Sequence, residues 1–203
     1  MLHPDTEIRR VSRTVGYGVF ATAAIPKGTI TWALDPLDQI LTPQRVATLG
    51  PKFTKLIEKY AYINRNGNHV LCWDLARFMN HSCDANTMGP GFEFEIATRD
   101  IEKGEELTSD YRSFNLERSF NCACGCKSCR RLVDPEDFAG LVPDWDAQVR
   151  DAFPEIARVK QPLWRLVREK GAVRMALGDP GRIPSVGAHH WFAGVHPAIL
   201  VSG

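Results

Sequence analysis

The chain has 203 residues, of which 44% are hydrophobic and 24% charged, the mix of a folded globular protein rather than a disordered one. Lys plus Arg is 25 against 24 for Asp plus Glu, a formal charge of +1, so the basic excess of a protein built to grip nucleic acid is missing and no direct nucleic-acid binding is expected. No apolar run approaches a membrane span, and Met1-Leu2-His3-Pro4-Asp5 has neither the basic nor the apolar part of a secretory leader; the expectation is a soluble intracellular protein, in cytoplasm or nucleus, off the membrane.

Residues 15–33 predict two short strands around the turn Ile25-Pro26-Lys27-Gly28. Thr42 and Pro43 suit the N-cap and first position of a helix over 42–60, with Leu56, Ile57 and Tyr60 on one face. Tyr60 to Arg65 and His69 to Leu71 flank Asn66-Gly67, which predicts a hairpin with a tight primed turn. Phe92, Phe94 and Ile96 alternate with Glu93 and Glu95, a half-buried strand whose acidic residues would attract a basic peptide. The segment Ala21 to Gly28 recurs as Ala97 to Gly104, the same turn chemistry used twice around a glycine.

Beyond residue 135 the pattern turns helical. Trp145, Val149, Phe153, Ile156, Val159, Leu163, Leu166 and Val167 fall at helical spacing over 143–170, broken by Pro154 and Pro162 and stopped at Gly171. The last thirty residues, with Pro180, Gly181, Pro184 and Gly187, read as loop or loosely docked tail. Without an ordered element to converge them, His189, His190 and His196 there do not make a metal site.

Four of the six cysteines crowd into Cys122-Ala123-Cys124-Gly125-Cys126-Lys127-Ser128-Cys129; the others are Cys72 and Cys83. Disulfides demand particular Cα separations that such close neighbours rarely meet, and in a reducing compartment a cluster of this kind more often holds a metal. Five cysteines, Cys83 included, compete for four tetrahedral positions. Taken singly, Gly16-Tyr17-Gly18, Asn80-His81-Ser82-Cys83 and Glu105-Glu106-Leu107-Thr108-Ser109-Asp110-Tyr111 fit a turn, a polar cap and a core tyrosine.

In order, together with Arg77-Phe78-Met79 before the second motif and a C-x-C-x4-C spacing at Cys122, Cys124 and Cys129, they resemble the SET-domain protein-lysine methyltransferases that carry a post-SET zinc motif. The resemblance spans about residues 8–133. It implies a mainly β fold of small curved sheets with a pseudoknot, a SET domain over 8–115, a zinc-binding segment over 116–133, and a helical C-terminal extension over 134–203. It also implies two cofactors, S-adenosylmethionine and Zn2+, and a lysine-containing protein or peptide as partner. The oligomeric state is not legible.

Residue by residue, the resemblance assigns Tyr111 to the place where the methyl group passes. Ser109, Tyr62 and Trp32 would line the lysine channel. Gly16, Tyr17, Gly18, Arg77, Asn80, His81 and Leu132 would hold S-adenosylmethionine. Cys83, Cys122, Cys124 and Cys129 would hold zinc, leaving Cys126 as an extra. The implied reaction is an in-line displacement by a neutral amine. For lysine, with a pKa of roughly 10.4, being neutral near pH 7 costs about 4–5 kcal/mol. Burial lowers that pKa, and a sulfonium ~5 Å away repels an ammonium by about 3 kcal/mol at an effective dielectric of ~20, so no strong base is required. The chain departs from the family where Trp32-Ala33-Leu34-Asp35-Pro36 replaces a Tyr-x-Gly-Glu stretch, and where Ser109 replaces an aromatic. A catalytically silent SET domain serving as a zinc-stabilised interaction module is the alternative.

Overall fold

A computed structural model describes residues 1–191. Its strands are β1 (Thr6–Ser12), β2 (Gly16–Ala21), β3 (Ile30–Ala33), β4 (Gln39–Leu41), β5 (Ala61–Ile63), β6 (His69–Leu71), β7 (Asn80–His81), β8 (Thr87–Met88), β9 (Phe94–Ala97), β10 (Glu106–Ser109), β11 (Phe120–Asn121) and β12 (Leu132–Val133). The helices are α1 (Pro43–Ala47), α2 (Pro51–Tyr60), α3 (Phe138–Ala152) and α4 (Lys170–Gly178). The architecture is thus mainly β with a helical C-terminal part.

The main sheet runs β1-β2-β10-β8-β9-β3, with β7 also against β10; β4-β6-β5 and β11-β12 form two smaller sheets. β10 is the pivot. It lies antiparallel to β2 and parallel to both β7 and β8, with Ser109 paired to His81 and to Thr87, so it draws the Asn80 and Thr87 segments together. The two similar turn segments pair with each other: Ile25 and Ile101 exchange both backbone hydrogen bonds at 2.9 Å. Gly28 and Gly104 close these turns at φ 82° and 87°, a conformation that favours glycine.

Local chemistry explains where the elements depart from the sequence reading. The predicted helix over 42–60 is two helices, because Pro51 cannot continue α1 and disfavours helix in the residue before it. The Thr42 hydroxyl accepts from Arg45 N at 3.2 Å, capping α1, and Ile57 is buried while Leu56 is 44% exposed. The β5–β6 hairpin closes by a wider loop than a two-residue turn. The Asn64 side chain accepts from the amides of Asn66 and Asn68 at 3.0 and 3.1 Å, an alternative turn supplied by a side chain. Helix α3 begins at Phe138, ahead of the predicted 143, and Gly171 lies inside the first turn of α4 instead of ending a helix.

The C-terminal part is no loose tail within the described residues. Leu141, Trp145, Val149, Phe153, Ile156, Val173 and Val186 share one apolar core with Ile30, Phe94 and Ile96. Val186 N donates to Asp146 Oδ1 at 2.7 Å, and Asn115 binds His189 O and Trp191 N, both at 2.8 Å. His189 faces the cavity described below, His190 stacks on Phe138, and His196 lies outside the described residues. The strand at Phe94 is correspondingly different from its predicted form. All four residues of β9 are buried, Glu95 included at 6% exposure, because helices cover one face of β9 and the cavity walls enclose the other.

Candidate functional site

A cavity of about 470 Å³ opens beside β9 and β10, in the size range of small-molecule sites. Among the residues assigned from sequence, Tyr111, Ser109, Tyr62, Trp32 and Arg77 line it. Aromatic rings make up much of the wall. Trp32 meets Tyr62 edge-on at 5.8 Å between centroids, Tyr62 meets Phe114 at 5.5 Å, and Phe114 meets Tyr111 at 6.0 Å.

Tyr111 opens a 3-10 turn directly after β10. The Asp110 carboxylate accepts from Arg112 N at 3.2 Å and holds the fully buried Arg112 guanidinium, which fixes the turn. Tyr111 N donates to His81 Nδ1 at 3.2 Å, and the Tyr111 hydroxyl donates to Met79 O at 2.5 Å. Burial first, then the carboxylates Glu106 and Glu95, pushes the phenol up to about 12. A group so reluctant to ionise is a positioned hydroxyl, and it will not take a proton near neutral pH.

The other assigned residues sit around this cavity and do not face it. Gly16 takes φ 89° at the start of β2. A Cβ on Gly18 would meet Glu106 Oε1 at 2.1 Å and Asn80 Nδ2 at 2.8 Å. That space is taken because the Asn80 amide bridges Tyr17 O at 3.0 Å and Glu106 Oε1 at 2.7 Å. The Tyr17 ring is half exposed and packs edge-on against Phe78. The His81 side chain is buried between Tyr111 and Cys83, 3.6 Å from Asp110; burial, only partly opposed by Asp110, lowers its pKa. Leu132 is 45% exposed, whereas Phe120, opposite the next residue across the β11–β12 pair, packs on His81 and Tyr111 and lines the cavity. Sequence reasoning passed over Phe120 because no motif marks it.

Close behind His81 lie four thiols. The Sγ atoms of Cys83, Cys122, Cys124 and Cys129 all fall within 4.8 Å of one another, with Cys83 and Cys122 3.8 Å apart. Four sulfurs at about 2.3 Å from a tetrahedral zinc would be roughly 3.8 Å apart, so the cluster fits that ion. Cys126 stands outside the four, its sulfur 3.5 Å from Cys124 and 3.6 Å from Ser128 Oγ. Burial drives the Cys83 and Cys122 thiols up, while amide and thiol donors overcome burial at Cys124 and bring it down to about 6. The cluster joins the loop after β7 to the segment between β11 and β12.

Two further cavity residues escaped the motifs. Cys72 is buried beside Tyr62, and Glu95 points its carboxyl toward Thr87 and Ser109. The available signal was weak: a glutamate alternating with Phe94 and Ile96 reads as solvent-facing.

The sequence model of the SET domain matches residues 16–112. The chain is 44% identical over 77 residues, 34% of its length, to the histone-lysine N-methyltransferase SET9 of Gibberella zeae. It is 33% identical over 97 residues, 44% of its length, to the histone-lysine N-methyltransferase ATX2 of Arabidopsis thaliana. It is also 32% identical over 138 residues, 61% of its length, to the human histone-lysine N-methyltransferase 2D. These matches cover only 11%, 8% and 2% of those much longer proteins. Residues 16–112 thus match the SET domain, and the relatives that overlap them carry the names of histone-lysine N-methyltransferases.

Proposed function

We propose that the chain transfers a methyl group from S-adenosylmethionine to the ε-amine of a lysine in a protein substrate. The observation that carries this reading is the position of Tyr111 within a SET domain: an un-ionised hydroxyl on the wall of an aromatic cavity, backed by four converging thiols. The relatives' names give histone-lysine methylation as their activity, and a basic protein segment is the substrate class that reading brings here.

Bound S-adenosylmethionine supplies an electrophilic methyl group on a positively charged sulfur. The protein does the rest by position. Arg77, Phe120 and the polar atoms around Asn80 and Tyr17 would hold that molecule, and Trp32, Tyr62 and Phe114 would sheath the lysine stem. An apolar sheath disfavours the ammonium and favours the neutral amine that must react. The Tyr111 hydroxyl donates to Met79 O and keeps its own lone pairs for the amine's N–H or the methyl's polarised C–H, aligning the two reactants. Zinc on Cys83, Cys122, Cys124 and Cys129 would pin the segment bearing Phe120 against the segment bearing His81.

Calorimetric titration of the zinc-loaded chain with S-adenosylmethionine, followed by labelled methyl transfer onto core histones, tests this. Saturable binding and labelled lysine are the expected results, and Tyr111→Phe should slow transfer about a hundredfold with cofactor affinity unchanged. Absence of cofactor binding by the zinc-loaded chain would overturn the reading in favour of a silent interaction module.

A further inference from the structure

Glu95 is a buried carboxyl, 6% exposed, on the wall of the cavity that holds Tyr111 and Ser109. Its Oε2 lies 2.9 Å from Thr87 Oγ1 and 3.0 Å from Ser109 Oγ. Those two hydroxyls are 2.8 Å from each other, and Thr87 Oγ1 also reaches Thr108 O at 3.1 Å. Two hydroxyl protons are thus divided between Glu95 and the Thr108 carbonyl. The other carboxyl oxygen, Oε1, has only a 3.3 Å contact to Ser109 Oγ, although an ionised carboxyl can accept about four hydrogen bonds. No Lys, Arg or His pairs with Glu95 among the described residues: every ion pair lies elsewhere, and Glu93, just ahead of the strand, is held by Arg65 at 3.0 Å. A second polar group on the same cavity wall is also unanswered, since the indole N–H of Trp32 is buried without an acceptor among the described residues.

An under-used carboxyl facing a cavity calls for a donor from outside the chain. We propose that Glu95 receives the substrate's lysine ammonium and takes from it the proton that must leave before methyl transfer. The inference rests on the methyl-transfer reading and adds a base to it. The substrate ammonium passes one proton to the Glu95 carboxylate, giving a neutral amine and a carboxylic acid. The amine lone pair then forms the N–C bond while the C–S bond breaks, its electron pair staying on sulfur. The product is a methylammonium and a neutral thioether, and Glu95 returns its proton to water as the product leaves.

The surroundings suit the task. Burial raises the Glu95 pKa, offset only in part by the Thr87 and Ser109 hydroxyls, which brings the carboxyl nearer the working pH of a general base. The titratable groups facing it are Tyr62, Cys72 and Tyr111, all driven up by burial and uncharged near pH 7. Asp38 and Glu93 add negative charge around Tyr62, and Glu106 does so near Tyr111. Of the cations on the wider wall, Lys59, Arg77 and Arg118, Arg77 donates to Trp73 O at 2.9 Å.

The test uses the full zinc-loaded chain carrying glutamate labelled with 13C at the side-chain carboxyl. Butylammonium, a surrogate for the lysine side chain, should shift one carboxyl resonance, and that resonance should be missing in Glu95→Gln. In single-turnover transfer to core histones, Glu95→Gln should lose at least tenfold at pH 7 with unchanged affinity for S-adenosylmethionine. The deficit should close as the pH nears the ~10.4 at which a free amine sheds its own proton. Glu95→Asp should recover part of the loss. A Glu95→Gln chain with wild-type rates and pH profile, or a wild-type Glu95 resonance indifferent to butylammonium, would overturn the proposal. If the wild type binds no S-adenosylmethionine, the methyl-transfer reading falls, and the butylammonium titration still decides whether Glu95 is an amine site.

Discussion

The two faces of β9 live in different worlds. Phe94 and Ile96 point into a dry core built with Ile30, Phe153 and Val149, where α3 and the turns after it cover the sheet. Glu95, between them, points the other way into a cavity with Thr87, Ser109, Trp32 and Tyr62. A strand's period of two makes this possible with three consecutive residues. The C-terminal part thus packs the apolar side of the sheet and reaches the other side only at the cavity wall, through Val186 and His189, where polar groups and open space remain. The four-thiol cluster lies behind His81, next to that cavity.

Breaking the packed face should have the largest effect. Phe94→Ala removes a side chain 1% exposed from that core and should lower unfolding free energy by about 3–5 kcal/mol in denaturant titration, with zinc content unchanged. A smaller loss would mean the helices do not carry the stability assigned to them.

Metal removal should act on the opposite face. Stripping zinc with a chelator, or Cys83→Ser, should weaken S-adenosylmethionine binding about tenfold or more while the main unfolding transition survives, whereas Cys126→Ser should keep one zinc per chain by elemental analysis. Loss of metal in Cys126→Ser together with its retention in Cys83→Ser would show that the long-range cysteine is not a ligand.

A subtler change on the cavity side is Gly18→Ala. Its Cβ would displace the Glu106 carboxylate and Asn80 amide, at about 1 kcal/mol of stability, with a several-fold loss of cofactor affinity by calorimetry. Unaltered affinity would separate Asn80 from cofactor binding.

The smallest effect has the opposite sign. Burial raises the pKa of Glu95 in the folded state, so between its unfolded and folded values the native state holds the extra proton, and stability falls as pH rises through that window. Glu95→Gln should abolish this slope and leave the fold equally or slightly more stable at neutral pH, by no more than about 1 kcal/mol in urea titration. Destabilisation by Glu95→Gln would place Glu95 with Phe94 as a structural residue.

Short-range features were legible in the sequence: the glycine turns, the α1 cap, and the crowding of cysteines. The sequence also displayed the ordered motifs around Gly16, Asn80 and Tyr111, because each is a run of adjacent residues with its own geometry or chemistry. What lies across the chain emerged with folding. It split the helix at Pro51, docked residues 138–191 onto the sheet, placed Phe120 on the cavity wall, and buried Glu95. A single strand's alternation says that its two faces differ; what covers each face is set by other segments, from β8 and β10 nearby to β3 and α3 farther along the chain. For Glu95 those segments turned an apparent surface charge into a carboxyl buried on a cavity wall, with no cation beside it among the described residues.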